Sequence, residues 1–553
     1  YVCTDSGREG EYIYRLVEQE AHVEGKKRRR VWIDSQTEEE ILQGIREAKD
    51  LSEYDNLGAS AYLRAKEDYL MGINFSRLLT LKYGNSISNF LQTKYSVVSV
   101  GRVMTCVLGM VVRREREIRD FVKTPFYRVL STIDAQGHTF EGEWRAVKGS
   151  RYFESYDLYK ENGFKERKKA EELIQNGLNA GDSYNEIWIR DLNTFIELAC
   201  KVSDTAKIRE ALLTFFKFQG QDGNIVDGYV PKEKARISYN YIYSDLAPEF
   251  GAHKNTVETD QESSLIQAIA KYIRVTNDRS FLNEVIDGKT VTTRMEDALN
   301  YLMQHRYNEK YGLLWGATTA DWGDVQPEHE WGVELDQNSH LAIDIYDNAM
   351  FIIALNDYLS LTEQNQAHWQ KIKETFVQNT RKQLWDPERQ KFIPHIYLDG
   401  SPFPADFDEN ALHYHGGTTI AIEAGLLSPE EIQTVYRQMQ ANVKAANAQS
   451  IGLTIYPPYP TGYFKNSWLS AYYYQNGGDW TWFGGRTIQQ LIANGFYHEA
   501  YEAISPMLDR VIANNGFFEW YTPEGKPNSG NFKGSAGVLW KAIQQFNQAA
   551  AIN

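Results

Sequence analysis

The chain has 553 residues, 42% of them hydrophobic and 24% charged, and its formal net charge is −15. This length predicts a globular protein of two or more domains. The sequence contains no run of about 18 apolar residues, which excludes a membrane-spanning helix. The three cysteines, Cys3, Cys106 and Cys200, have no metal-like spacing and form no disulfide framework.

Charge and tryptophan are distributed unevenly along the chain. Residues 1–175 carry 29 basic and 28 acidic side chains, whereas the remainder carries 30 and 46, a net charge of −16. Eleven of the 13 tryptophans lie in that remainder. The acidic, Trp-rich part is expected to repel nucleic acid and to suit a neutral, hydroxyl-rich ligand. The GKKRRR run at 25–30 is compatible with phosphate contact or with a solvated turn.

The first predicted elements are a buried strand, a tight polar turn and a helix, in YVCTDSGREGEYIYRLVEQEA. Tyr1 lies inside this strand, so we expect the natural chain to begin upstream, where a signal peptide would not be visible. Asp5 and Glu9 follow the strand end beside Arg8, and carboxylate oxygens are the ligands that Mg²⁺ prefers. The pattern predicts either a Mg²⁺ site or a capped strand-to-helix turn.

Four stretches in order, TDSGREGE, VWIDSQTEEEI, EYDNLGASAYLRAKEDYLMGINFSRLLT and VVSVGRVMTCVLGMVVRREREIRDF, resemble bacterial topoisomerase III, a type IA DNA topoisomerase. The resemblance covers residues 1 to about 175. It implies an α/β Toprim-type fragment with a following helical DNA-gate segment, assigned to 1–176. It also implies that Asp5 and Glu9 hold Mg²⁺, that Arg8 is their electrostatic partner near DNA, and that Arg102 lines the DNA groove.

This segment departs from the family in three respects. Gly7 replaces the second aspartate of the D-x-D pair, and the family's N-terminal strand is absent. The Tyr-x-Arg-Thr context of the nucleophilic tyrosine does not occur anywhere in the chain. Without that nucleophile the covalent DNA intermediate cannot form. We therefore predict no topoisomerase activity and, at most, weak DNA contact through residues 1–176.

From about residue 185 the pattern changes to repeated helices separated by aromatic, Gly-rich loops. Some eleven segments, from NTFIELACKV to SAGVLWKAIQQFNQ, have apolar residues at helical spacing. They alternate between wholly apolar and amphipathic helices, which predicts two concentric rings. The expected fold class is therefore multidomain, with an all-α (α/α)₆ toroid over residues 181–553 that lacks its first helix. No Pro/Gly/Ser linker separates it from the first segment, which indicates an abrupt join.

The loops between these helices combine aromatic and acidic residues. Examples are WIRD (188–191), ETDQES (258–263), TTADWGDVQPEHEW (318–331), GGDWTWFGGR (477–486) and GFFEWYTPEG (516–525). Aromatic rings stack on the apolar faces of pyranoses, while carboxylates and arginine bind the hydroxyl groups. The loops therefore predict a sugar site, with core packing of the aromatic residues as the alternative.

These motifs resemble the six-hairpin glycosidases, a clan that includes glucoamylases, trehalases, processing α-glucosidases and debranching glucosidases. The resemblance implies that Arg190 and Asp191 grip the terminal sugar; the alternative for Asp191 is a helix N-cap. The other predicted substrate contacts are Trp188, Asp260, Trp322, His413, His415, Asp479, Trp480, Trp482 and Trp520.

The resemblance also implies a catalytic pair of carboxyl groups. Asp324 in A-D-W-G-D is the predicted general acid, with Asp321 as the fallback, and the neighbouring Trp322 would raise the acid's pKa by desolvation. Glu519 in G-F-F-E-W-Y is the predicted general base. The alternative is that these carboxylates lie solvated in loops. A separation of about 6.5–9.5 Å would admit a water molecule and imply inversion.

The HYH triplet at 413–415, near Asp406, Asp408 and Glu409, suggests either a metal site or, preferably, sugar contacts. The leading hypothesis is an inverting, exo-acting glycoside hydrolase that acts on an oligosaccharide or glycoside without a cofactor, Mg²⁺ being expected only at Asp5 and Glu9. The alternatives are a DNA-binding fragment with a passenger domain and a non-catalytic carbohydrate-binding toroid. Topoisomerases act in the cytoplasm, whereas the glycosidase part suggests a periplasmic or extracellular setting.

Overall fold

The computed structural model of the protein describes residues 1–22, 25–119, 129–135, 138–144, 165–175, 177–235 and 240–552. The chain divides into two compact units, Tyr1–Pro125 and Phe126–Asn553. In the described ranges no helix has the length and apolar character needed to cross a membrane.

Helices dominate the described part of the first unit. Helices α1 to α4 span Arg8–Ala21, Glu38–Arg46, Asp55–Leu91 and Arg102–Arg119. Two short antiparallel strands, Arg29–Arg30 and Lys49–Asp50, precede a 3-10 turn at Leu51–Tyr54. The α/β Toprim arrangement expected for this part stays a prediction, because over the described residues the unit is mostly helical.

A buried ion pair holds the first strand against α1. The fully buried Arg30 donates through Nε to Glu11 Oε2 at 2.9 Å and through Nη2 to the backbone oxygen of Asp5 at 2.6 Å. Arg28 is paired with Glu18. Two cations of the GKKRRR run are thus used inside the unit, which favours a structural turn over phosphate contact.

Twelve helices of the second unit form two layers within its described residues. Six of them form a closed inner ring in which each contacts the next and the last contacts the first. The inner helices are α6 Ile189–Val202, α8 Gln261–Thr276, α10 Ile345–Leu361, α12 His415–Glu423, α14 Thr481–Ala493 and α16 Lys533–Ile552. The outer helices are α5 Lys165–Ile174, α7 Thr205–Lys217, α9 Val291–His305, α11 Gln366–Leu384, α13 Pro429–Ala445 and α15 Tyr497–Ala513.

The two layers differ in how much of each helix is buried. Thirteen of the 17 residues of α10 are buried, so this helix has protein on every side. In α11 the buried residues are Trp369, Phe376, Thr380 and Leu384, whose spacing defines one stripe facing the ring. The distribution of apolar residues along a helix therefore predicts its layer. A helix that is apolar on all sides lies in the inner ring, and an amphipathic helix packs against that ring from outside.

Helix α5 lies upstream of the predicted junction at 176–181. It packs against α6 and α16, and its Ala170 and Ile174 are 1% and 0% exposed within the main core. The outer position that the sequence suggested was vacant is therefore filled by α5. The compact unit begins near residue 126 rather than at 181, because packing rather than sequence resemblance defines it.

Short antiparallel strands frame the starts of the inner helices. Each pair spans only two to four residues, apart from the hairpin Val129–Ala135 with His138–Trp144. The remaining strands are Ile187–Trp188, Gly228–Pro231 and Phe250–His253; Val285–Ile286 and Lys289–Thr290; Tyr307–Asn308 and Leu313–Leu314; Gly316–Ala317, Leu341–Ile343 and Ile396–Tyr397; Trp385–Asp386 and Lys391–Phe392; His413–Tyr414 and Ile455–Tyr456; and Phe518–Tyr521 and Pro527–Gly530.

Candidate active site

The first turns of the inner helices meet around one buried arginine. Arg190, in the first turn of α6, donates through Nε to Asp260 Oδ2 at 2.8 Å and through Nη2 to Glu258. Asp227 Oδ1 lies 3.8 Å from the same Nη2. Tyr346 of α10 also donates to Asp260 Oδ2, at 2.8 Å. One guanidinium therefore ties together three segments that the sequence separates by up to 70 residues.

Two further carboxyl groups near Arg190 have strongly altered pKa values. Burial raises the pKa of Asp227 to about 7, and Asp260 and Asp324 raise it as well, although Arg190 opposes the shift. Burial also raises the pKa of Asp191 to about 6. Asp191 lies inside the first turn of α6, whose N-cap residue is Trp188, so the alternative role of Asp191 as N-cap is wrong.

Glu519 lies on the strand Phe518–Tyr521 and is 5% exposed. Burial raises its pKa to about 8, and the charges of Asp191 and Asp324 raise it too. Hydrogen bonds with Ser529 and with Tyr184, which donates to Glu519 Oε1 at 2.9 Å, oppose this rise in the pKa. The two predicted catalytic carboxyl groups are therefore close enough for their charges to interact.

Asp324 lies in the loop before α10 and is partly exposed. Its Oδ1 accepts a hydrogen bond from Gln475 Nε2 at 2.8 Å, and Gln475 is itself 2% exposed. The charges of Asp324 and Glu519 both raise the pKa of Tyr474, the residue before Gln475, although burial is the largest cause. Asp324, Glu519 and Tyr474 thus lie in one region of the second unit.

Asp321, the fallback acid, faces a helix rather than this pocket. Its two carboxylate oxygens accept from the backbone N–H of Gly417 in the first turn of α12, at 2.9 and 3.1 Å. The residue is 1% exposed and has a left-handed backbone, φ 57°. Burial raises its pKa well above the usual value, while the Gly417 bond opposes that shift. These contacts favour a structural role at a helix N-terminus.

The predicted aromatic contacts separate into two groups. Trp322 packs edge-on against Trp480 and Trp482, with ring centroids 4.6 and 5.2 Å apart, and all three are at most 3% exposed. Trp520 is fully buried, whereas Trp188 is partly exposed and lies edge-on to His253. Trp322, Trp480, Trp482 and Trp520 all belong to the main core, which favours core packing, the alternative weighed for them.

Three other predicted contacts make internal interactions. Asp479 is paired with Arg510 at 2.9 Å and accepts from Ser450 Oγ at 2.6 Å. His415 Nε2 is 3.0 Å from Asn442 on the outer helix α13, and its ring stacks on that of His413. Burial lowers the pKa of both histidines, that of His413 to about 4. These side chains are held by internal contacts, as Arg190 and Asp260 are, and sugar contact at all of these positions stays a prediction.

Among the described residues no group of three or more His, Cys, Asp or Glu side chains could hold a metal ion, either at 413–415 or near Asp5. Glu9 is ion-paired with Arg64 at 2.9 Å and lies 3.9 Å from Arg8. Mg²⁺ binding at Asp5 and Glu9 therefore stays a prediction. Arg102 begins α4, but its side chain lies outside the described residues, and its predicted DNA contact is likewise untested.

Several residues of this pocket were absent from the sequence-based set. They are Tyr184, Asp227, Glu258, Tyr346, Tyr474 and Gln475. Glu258 stands in the ETDQES loop that supplied the predicted Asp260, so this loop indicated its position. Tyr184 gave no signal, because its partner Glu519 lies 335 positions away.

Comparison with known proteins finds different relatives for different parts of the chain. Residues 52–187 match the DNA topoisomerase family. DNA topoisomerase 3 of Bacillus subtilis (strain 168) is 35% identical over 152 residues, 28% of this chain and 19% of that protein. DNA topoisomerase 3 of Shouchella clausii (strain KSM-K16) is 35% identical over 184 residues, 33% and 22% respectively. The chain thus spans about a fifth of the length of these curated relatives, and the resemblance to topoisomerase III is confirmed.

Solved structures match the helical rings instead. An uncharacterized conserved protein from Thermus thermophilus has a TM-score of 0.50 at 16% identity, covering 68% of this chain and 99% of that one. The GH63 mannosylglycerate hydrolase from the same organism, in complex with glucose, has a TM-score of 0.50 at 14% identity with the same coverage. At these identities the likeness shows the fold alone, and this fold is one that a glycoside hydrolase adopts.

Proposed function

We propose that the second unit is an inverting, exo-acting glycoside hydrolase with Asp324 as general acid and Glu519 as general base. The observation that carries the proposal is that one short segment links the two carboxyl groups. Gln475 donates to Asp324 Oδ1 at 2.8 Å, and the ring of the preceding Tyr474 lies 6.0 Å from that of Trp520, the residue after Glu519. Such a pair of carboxyl groups, on opposite sides of a glycosidic bond, is what acid-base hydrolysis requires. The toroid fold shared with a sugar hydrolase supports the same assignment.

In the proposed reaction, Asp324 protonates the leaving oxygen through Oδ2, since Oδ1 is held by Gln475. Glu519 takes a proton from the water that attacks the anomeric carbon on the opposite face. Tyr184 orients Glu519 through Oε1 and stabilises its ionised form. The proposed hydrolysis is a single displacement at the anomeric carbon, so the product has the inverted anomeric configuration.

The charge of the pocket defines the class of substrate. Arg190 is the cation in contact with these carboxylates, and its donors are engaged by Asp260 and Glu258. The acidic groups outnumber it: Asp191, Asp227, Glu258, Asp260, Asp324 and Glu519. A mannosylglycerate, the substrate named for the Thermus hydrolase, carries a carboxylate that this pocket would repel. We therefore propose a neutral glycoside.

The test compares the full chain with Glu519→Gln and Asp324→Asn on aryl α- and β-glycosides and neutral disaccharides. We expect Glu519→Gln to lower kcat by about 10²–10⁴-fold on every substrate. Asp324→Asn should lower kcat by a smaller factor on aryl glycosides with good leaving groups, because such leaving groups need little protonation. Glu374→Gln, at an exposed position of α11, is the matched control and should be unchanged.

Two results would contradict this proposal. Sugar binding without turnover in the folded wild type, unaffected by Asp324→Asn, would indicate a carbohydrate-binding toroid. Affinity for DNA that falls steeply with salt, without glycosidase activity, would favour a nucleic-acid-binding role for residues 1–176. NMR of the anomer first released would test inversion separately.

A further inference from the structure

A second cavity lies inside the inner ring, away from the candidate active site. Its volume is about 220 Å³. Five inner helices line it, through residues of their middle and last turns, whereas the pocket around Arg190 is built by first turns. The charged lining residues are Glu197, Lys271, Arg274, Glu423, Arg486 and Lys541.

Most of these charges are paired with one another. Lys541 lies 2.9 Å from Glu197, and Arg274 lies 3.7 Å from the same carboxylate. Arg486 Nε donates to Glu423 Oε2 at 2.9 Å. Arg274 also lies 3.6 Å from Asp357 of α10, which carries a third carboxylate to the same region. Four cations therefore face three carboxylates.

Two of the cations keep donor capacity that no carboxylate engages, although Glu423 Oε2 lies 2.9 Å from both Nε and Nη2 of Arg486. Arg486 is 3% exposed, and its Nη1 has no hydrogen-bond partner among the described residues. Lys271 Nζ donates to the backbone oxygen of Asn193 at 2.9 Å. A buried guanidinium donor without a partner is costly, so such an atom usually marks a place where a ligand or an ion completes the site.

We propose that this cavity binds a small oxyanion, such as a carboxylate or a phosphate, between Arg486 and Lys271. The planar guanidinium donates to oxyanions in a geometry that its free Nη1 can provide, and an ammonium adds a second donor. The amide of Gln545, also in the lining, supplies a further polar contact. The volume admits such an anion together with water. This site is independent of the proposed hydrolase activity.

The experiment measures thermal unfolding of the full chain by tryptophan fluorescence near neutral pH, with sodium phosphate or sodium acetate against NaCl of equal ionic strength. A ligand that binds the folded state raises Tm in a saturable way. We expect such a rise with at least one of the two anions, and titration calorimetry should give a Kd that weakens at least tenfold in Arg486→Gln. Arg437→Gln, at an exposed position of α13, is the matched control and should bind like wild type.

Because Arg486→Gln removes the partner of Glu423 and the variant could misfold, Lys271→Met provides a second test that leaves this ion pair intact. It should also weaken binding at least tenfold while circular dichroism stays unchanged. A response to both anions would indicate a general oxyanion site, and a response to phosphate alone would indicate a phosphate-bearing ligand. No rise beyond NaCl in the wild type, or equal binding in wild type and folded Lys271→Met, would overturn the proposal.

Discussion

At the scale of single residues, the contact between Tyr184 and Glu519 controls the proposed chemistry most directly. A general base must be ionised, yet burial raises the pKa of Glu519 to about 8. Tyr184 limits this rise, because a hydrogen bond to a carboxylate stabilises the charged form. Because the reaction needs Glu519 ionised and Asp324 protonated, the limb of the pH profile that Glu519 sets should lie near pH 8.

Replacing Tyr184 by Phe should shift this dependence further. Loss of a hydrogen bond to a charged group costs about 1.5–3 kcal/mol, so the limb of the kcat/KM profile that Glu519 sets should move up by roughly one pH unit or more. The measurement is kcat/KM across pH 5 to 10 on the best aryl glycoside. Tyr436→Phe on α13 is the control. An unchanged midpoint in Tyr184→Phe would show that this hydrogen bond does not tune the base.

The residues of the pocket could be predicted from sequence only where the loop itself carried the signal. Arg190, Asp191 and Asp260 occur in acidic, aromatic loops that enter inner helices, and these loops do meet. The environment of Asp321 depends on the backbone of α12, nearly 100 residues later, which no local pattern reveals. The same limit applies to His415, because its partner on α13 is set by the pairing of helices.

At the scale of elements, the start of α14 shows why helix boundaries were harder to predict than helices. The sequence pattern started this helix at Gly484, in GGRTIQQLIANG, whereas α14 begins three residues earlier, at Thr481, and carries Gly484 and Gly485 in its interior. These glycines allow close packing rather than a turn. A Cβ on Gly485 would lie 2.5 Å from Val538 Cγ2, on the neighbouring helix α16.

Gly485→Ala should therefore destabilise the second unit. The added methyl group cannot fit without displacing Val538, and overpacking of this kind costs typically about 1–3 kcal/mol. The free energy of unfolding in urea measures the effect. Val538→Ala should restore part of the loss in the double variant, because it removes the clashing methyl groups. Additive losses in the double-mutant cycle would contradict the assignment of this contact.

At the scale of the whole molecule, the second unit contains many buried carboxyl groups with raised pKa values. Burial raises the pKa of Asp191, Asp344 and Asp357 to about 6, that of Asp227 to about 7 and that of Glu519 to about 8. In the unfolded chain these groups titrate near 4. The folded state therefore binds more protons between about pH 4 and 8, and its stability decreases as pH rises through this range.

We thus expect this unit to be more stable near pH 6 than near pH 8. Buried histidines act in the opposite direction at lower pH, because burial lowers the pKa of His253 and His413 to about 4. Urea unfolding followed by tryptophan fluorescence reports this unit selectively, since Trp32 is the one tryptophan before residue 126. A midpoint that rises steadily from pH 6 to 8 would contradict the expected proton balance.

The division of the whole chain gives a further prediction. Sequence resemblance favours cutting near residue 181, and the topoisomerase match itself extends to residue 187. Packing favours cutting near 126, because α5 covers α6 and α16 and buries Ile174 completely. Glu171 of α5 also accepts a hydrogen bond from Trp540 Nε1 at 3.2 Å. Because α5 packs against two helices of the inner ring, we assign it to the second unit.

A chain of residues 126–553 should therefore retain the thermal stability of the second unit in the full protein, whereas residues 181–553 should lose it. Truncating the side chain of Ile174 alone, as Ile174→Ala in the full chain, should lower the free energy of unfolding by about 2–5 kcal/mol, since it leaves a cavity in the core. Circular dichroism and Tm, measured for the full chain, the two shortened chains and Ile174→Ala, report these differences. Equal Tm values for 126–553 and 181–553 would show that α5 is dispensable, and that the ring closes on eleven helices as the sequence pattern alone suggested.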